Sequence, residues 1–410
     1  MNVYISGICG TGMGPLALMS ADAGLNVYGS DLKEGAIYPE LINHNITINI
    51  GPQDGKFLRK THQAVRLDYF IYSSAITDSN VEYQIARELG IKTAKRDELS
   101  NILINKQGAK LVAIAGTHGK TTTVAMLIWG CRQLGIPASY IVGTTLPFAP
   151  SGHYDAEARY FLYEADEYDR NFLHFHPWIA GITTVTFDHP DIYRDEADYR
   201  SAFVEFESQS EKVIHASDID KRLTLTGKAK RLDATLALEI LGEIVKDSGL
   251  NISDEQIIEV LNNFPGSGRR FEKIMENVYS DYAHHPEEIA VTVEQALAEA
   301  TKLGLKGVVA IYEPHQNSRQ QQVLDKYKGV FDGLAKLYML PVFLTREDES
   351  LPILTPADLI KASGFTEAEP AELDDKLLDE IKKWLNDGYL ILLMSAGPAD
   401  KWLRNNFISS

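Results

Sequence analysis

Residues 116–122 read Gly-Thr-His-Gly-Lys-Thr-Thr. The run follows a short apolar stretch and precedes a helical one, the setting that a phosphate-binding loop needs. Its glycines let backbone N–H groups close around phosphate oxygens, and the helix that follows adds its N-terminal dipole. On this reading Gly116, Thr117, His118, Gly119, Lys120, Thr121 and Thr122 bind ATP. Lys120 meets the β/γ-phosphates and the Thr121 hydroxyl holds Mg2+. The strict eight-residue pattern is not met, because Ile114 stands at its first glycine. Two more runs end apolar stretches: Glu164-Ala-Asp-Glu167 and Asp188-His189-Pro190-Asp191. Hard oxygen ligands suit Mg2+. Taken singly, the first is a solvated acidic loop and His189 a satisfied structural histidine. An open parallel sheet delivers its strand ends to one edge. Lys120 and Thr121, Glu164 and His189 are therefore expected at a common edge.

Three motifs lie further along. Gly266-Ser-Gly-Arg-Arg-Phe271 reads as a hinge that carries Arg270. Ser280-Asp281-Tyr-Ala-His-His-Pro286 joins a strand to a helix, and Glu313-Pro-His-Gln-Asn-Ser-Arg319 follows another strand. Near the N-terminus, Gly7-Ile-Cys-Gly-Thr-Gly-Met13 resembles a dinucleotide fingerprint with Cys9 at its second glycine. Asp31 stands where a ribose-binding acid would lie. A nicotinamide-dependent oxidoreductase would use that loop, but it leaves the phosphate loop unexplained.

The scaffold for these motifs alternates apolar runs with amphipathic ones, the pattern of parallel α/β units. Strands are expected over 2–6, 26–31 and 68–73, then 110–115, 160–163 and 178–187, then 277–280, 307–312 and 389–394. Helices are expected up to 23, up to 135, over 232–248 and from Pro286. Pro286, with Glu287 and Glu288 behind it, suits a helix start. The blocks are 1–107, 108–266 and 267–410.

The 410 residues are 44% hydrophobic, enough for more than one core. Net charge is 40 − 57 = −17, which excludes a general nucleic-acid or anionic-membrane surface. The two cysteines, Cys9 and Cys131, make neither a disulfide framework nor a zinc signature. No signal peptide and no apolar run of about 18 residues is present, so a cytoplasmic location is expected.

In order along the chain, these motifs, with Ser73-Ser-Ala-Ile76, resemble the Mur ligases. They are most similar to the branch that adds L-alanine to UDP-N-acetylmuramate, and are similar too to the branch that attaches a ready-made tripeptide. The resemblance implies three domains: a Rossmann-like N-terminal domain, a P-loop central ATPase domain and a Rossmann-like α/β C-terminal domain. It implies ATP and Mg2+, with UDP-N-acetylmuramate and L-alanine or a peptide amine as partners, in a monomer or homodimer. Gly10, Thr11, Gly12, Met13, Ser30, Asp31, Ser73, Ser74 and Ala75 would hold the UDP moiety. Lys120, Glu164, His189, Arg270 and Asp281 would be catalytic, Arg270 and Asp281 also reaching the ATP. Thr121, Glu164 and His189 would hold Mg2+. His284, His315 and Arg319 would border the amino-acid pocket. Three features depart from the family. Its Gly-x-His-Asn-x-x-Asn segment near adenine, aligned on Gly227, reads Ala229, Lys230 and Asp233. The stretch from His215 to Thr226 is shorter than the family's strand-rich insert. Gln316 replaces a basic residue.

Overall fold

The computed structural model describes residues 1–74, 76–189, 192–344 and 352–407. Ala75, Pro190 and Asp191 lie outside them. The chain divides into two compact units, Met1–Thr224 with Leu232–Pro265 and Leu225–Arg231 with Gly266–Ser410.

The first unit holds two sheets. One contains β1 (Asn2–Ser6), β2 (Asn26–Asp31), β3 (Thr47–Ile50), β4 (Tyr69–Tyr72) and β5 (Lys92–Lys95). Their order is β3-β2-β1-β4-β5, all parallel. The other contains β6 (Lys110–Ala115), β7 (Ala138–Ile141), β8 (Gly152–His153), β9 (Tyr160–Glu164), β10 (Ile179–Ile182) and β11 (Lys212–His215). Its order is β11-β10-β6-β9-β7-β8, parallel except for the β7–β8 pair. Strands buried on both faces read as continuous apolar runs, and Leu111 to Ala115 of β6 are all buried. One apolar core runs through both sheets, from Val3, Ile5 and Leu16 to Ala113, Phe161 and Phe206. That shared core explains why the two sheets form one unit.

The second unit holds β12 (Glu272–Met275), β13 (Val278–Asp281), β14 (Val308–Glu313), β15 (Lys336–Met339), β16 (Ala368–Pro370) and β17 (Leu390–Ser395). Their order is β12-β13-β17-β14-β15-β16, with only β12 antiparallel to its neighbour. Two apolar clusters cover the sheet's faces, one around Tyr312 and Leu392 and the other around Ile311 and Ile391.

The strand expected over 178–187 stops at Ile182. Its continuation leaves the ladder to brace the phosphate loop. Thr117 N–H donates to Thr184 O at 2.7 Å, and the Thr117 hydroxyl donates to Thr186 O at 2.7 Å. The helix expected from 232 begins at Lys228. The short link after β11 is tied down rather than loose. Asp220 N–H donates to Thr235 Oγ1 (3.0 Å), and Thr224 N–H to Asn262 Oδ1 (2.7 Å). No helix among the described residues is long and apolar enough to cross a membrane.

Candidate active site

The phosphate loop joins β6 to the helix Lys120–Gln133. Two of its glycines are required by the backbone. Gly116 has φ +134°, and a Cβ there would stand 2.0 Å from Thr183 Oγ1; Gly119 has φ +87°, and a Cβ there would stand 2.3 Å from Asp233 Oδ1. Only glycine takes such angles without strain. Asp233, at the last position of the altered segment, therefore packs directly on the loop.

Lys120 lies across this loop. Its Nζ donates to Glu167 Oε2 at 2.6 Å and also to the Gly116 carbonyl. Lys120 and Glu167 are 13% and 2% exposed, so the ion pair is screened little by water. Burial alone would lower the Lys120 pKa; the Glu167, Asp166 and Glu164 carboxylates outweigh it and hold the ammonium above its ordinary value. Thr121 donates its hydroxyl to Glu164 Oε1 at 2.6 Å, and Gly143 N–H donates to Glu164 Oε2 at 2.9 Å. His189 has φ +57°. Its Nε2 stands 3.7 Å from Glu167 Oε1 and 3.7 Å from Asp188 Oδ2, and Tyr168 packs edge-on against its ring. Lys120, Thr121, Glu164 and His189 thus share one edge of the second sheet, as their spacing predicts. His118 bridges to Thr184 at the same place, and Thr122 lies in the first turn of the helix.

The donor set fits a triphosphate with a hard cation. It offers a glycine turn, a buried ammonium, a hydroxyl and carboxylate oxygens. Glu167 is the residue that spacing alone did not single out. The signal was in the acidic run itself, since its last member reaches Lys120.

At the edge of the first sheet, Gly7 N–H and Ile8 N–H donate to the Ser30 carbonyl at 2.9 and 3.1 Å. Cys9 N–H donates to Asp31 Oδ2 at 2.9 Å. Asp31 thereby fixes the glycine loop as well as standing beside it. Gly10 and Thr11 are exposed, Gly12 is half-buried, and Met13 opens the helix Met13–Asp22. Ser73 and Ser74 follow β4 at the same edge. Ser30 differs from its neighbours. Its hydroxyl turns inward to the buried Glu82 (2.7 Å), which Tyr4 and Ser6 also hold. Its offering to the edge is its carbonyl.

The second unit gathers the remaining motifs. Asp281 ends β13 and accepts from Phe271 N–H (2.6 Å) and Ala283 N–H (2.7 Å). Burial raises its pKa, against the lowering effect of the Arg270 charge. The turn before it is strained: Arg269 and Phe271 have φ of 53° and 49°. The Arg270 guanidinium lies 5.2 Å from the centre of the Tyr282 ring. Arg319 Nη1 lies 2.8 Å from His284 Nε2, and the His284 and His315 rings meet edge to face at 5.7 Å. Burial lowers the His284 pKa; nearby Glu288 opposes this and Arg319 adds to it. A neutral ring fits both contacts, with Nε2 accepting from Arg319 and Nδ1–H donating to Tyr282 O (3.1 Å). His285 instead caps the helix Pro286–Lys302.

Residues 2–107 match the Mur ligase family, catalytic domain, and residues 114–238 match the Mur ligase middle domain. The chain is 31% identical to the UDP-N-acetylmuramate–L-alanine ligase of Fusobacterium nucleatum, over 86% of this chain and 85% of that one. The chain belongs to the Mur ligase family. A solved Mur ligase, the UDP-N-acetylmuramate–alanine ligase of Thermotoga maritima, has the same fold, with a TM-score of 0.78 at 22% identity over 100% of both chains. Another, the MurF ligase of Thermotoga maritima in complex with ADP, has a TM-score of 0.55 at 13% identity, covering 92% of this chain and 93% of that one. The three-domain α/β fold expected of a Mur ligase is therefore the fold of this chain.

Proposed function

We propose that this chain is an ATP-dependent ligase that joins L-alanine to the lactyl carboxylate of UDP-N-acetylmuramate through an acyl phosphate, in peptidoglycan precursor synthesis. The observation that carries this is the convergence of Lys120, Thr121, Glu164 and Glu167 on one phosphate loop in a Mur ligase. The named activity of the Fusobacterium relative supports L-alanine as the amine. Residues 1–107 would bind the UDP moiety, 108–266 ATP, and 267–410 the amino acid.

The lactyl carboxylate attacks the γ-phosphorus, and ADP leaves. These two anions repel, so the protein must neutralise and align them. Lys120 supplies one buried positive charge toward the transferring group. Thr121, Glu164 and His189 would hold Mg2+, which adds charge neutralisation when bound. Alignment is worth roughly 7–11 kcal/mol of barrier in favourable cases. The unprotonated amine nitrogen then attacks the acyl carbon, and phosphate departs from the tetrahedral intermediate carrying the proton that the nitrogen gives up. Arg319, held by His284 Nε2, offers a cation suited to an amino-acid carboxylate.

The acyl phosphate has a direct test. With 18O in the lactyl carboxylate, one labelled oxygen is expected in each phosphate released. Product formed with unlabelled phosphate would overturn the route.

A further inference from the structure

Arg96 follows β5 and opens the helix Arg96–Gln107. Its Nε donates to Asp97 Oδ1 at 3.0 Å, and its Nη2 to Asp166 Oδ2 at 3.3 Å. Asp97 is held in turn by the Tyr163 hydroxyl at 2.8 Å. Asp166 belongs to the acidic run whose other carboxylates hold Thr121 and Lys120. Two of the three guanidinium nitrogens are thus fixed. The third, Nη1, lies over the glycine loop, where a Cβ on Gly12 would stand 2.5 Å from it. Gly10 and Thr11 beside it are exposed. Among the described residues, the acceptors of this guanidinium are Asp97 and Asp166, reached from Nε and Nη2. A rigid planar fork aimed at an open loop matches phosphate geometry.

We infer that Arg96 Nη1 donates to the pyrophosphate of a nucleoside diphosphate sugar seated at the glycine loop, and that the same side chain ties this loop to the acidic segment of the ATP site. The inference rests on the proposed reading of the first sheet as the UDP-sugar site. Asp97 and Asp166 orient the fork, so substrate meets a donor that needs no rearrangement.

The test compares calorimetric binding of UDP, UMP and ADP to the whole chain and to the R96Q and R96K variants. R96Q is expected to weaken UDP by roughly 10- to 100-fold, the range for a lost charged hydrogen bond, and to weaken ADP far less. The preference for UDP over UMP should shrink as well, which a structural role alone would not cause. R96K keeps the charge, and serves if R96Q does not fold. It should still weaken UDP, because lysine cannot hold Asp97, Asp166 and a phosphate together. UDP affinity equal to wild type in either folded variant would overturn the assignment. A wild-type chain that binds neither UDP nor the UDP-sugar would instead overturn the underlying site.

Discussion

The charge of Lys120 is buried against Glu167, and on the proposed function it faces the place where phosphate charge develops. Lys120→Ala should therefore lower ATP turnover by about 10²- to 10³-fold while leaving UDP-N-acetylmuramate binding intact. It should also lower the melting temperature, because Glu167 is left buried without its cation. Phosphate release, calorimetry and thermal melting read these three effects, and loss of UDP-sugar binding as well would contradict the assignment. His284 makes a claim about pH. Its native pKa lies below the ordinary 6.5, through burial first. As pH falls through that value, the unfolded chain binds the proton before the native one, so stability is withdrawn on acidification. His284→Asn should show a smaller drop in melting temperature between pH 8 and pH 5 than wild type; an equal drop would contradict the shift. Gly-Lys-Thr-Thr stood out by itself, because it has few structural uses, whereas Glu164 and His189 stood out only through the sheet edge they share with it. Glu167 and Arg96 did not stand out, since an acidic run or a Lys-Arg pair has many such uses.

At the scale of elements, strands were readable wherever a run is buried on both faces. β1, β2 and β6 lie on the residues expected from apolar runs alone. The reading failed over 178–187 because threonine and valine are enriched in strands, so the run beyond Ile182 reads as more of the same strand. Apolar pattern could not say that Thr184 to Thr186 leave the ladder to back the loop at Thr117. The requirement for glycine in that loop is an element-scale prediction. Gly116→Ala forces a Cβ into Thr183 and toward the Thr184 carbonyl, 2.9 Å away, at a φ that disfavours it. Strain of that kind costs about 1–3 kcal/mol. ADP affinity measured by calorimetry should fall sharply, with UDP affinity unchanged; an ADP affinity equal to wild type would contradict the loop's role.

For the whole molecule, three parallel-dominated sheets each present strand ends that carry one set of motifs. The first two share an apolar core, which block boundaries drawn from sequence do not reveal. A common core depends on which faces meet, and sequence patterns give faces without partners. The short link after β11 was legible as a shortening, while its hydrogen bonds to Thr235 and Asn262 were not. On the proposed function, all three sheets serve one ligation. The most direct measurement is phosphate release from ATP and Mg2+ with UDP-N-acetylmuramate, offering L-alanine, glycine, L-serine and the tripeptide one at a time, with product mass recorded. Turnover is expected to require both the UDP-sugar and L-alanine, giving the alanyl product. Measurable ATP binding with no turnover on any amine, or turnover with the tripeptide alone, would contradict that function.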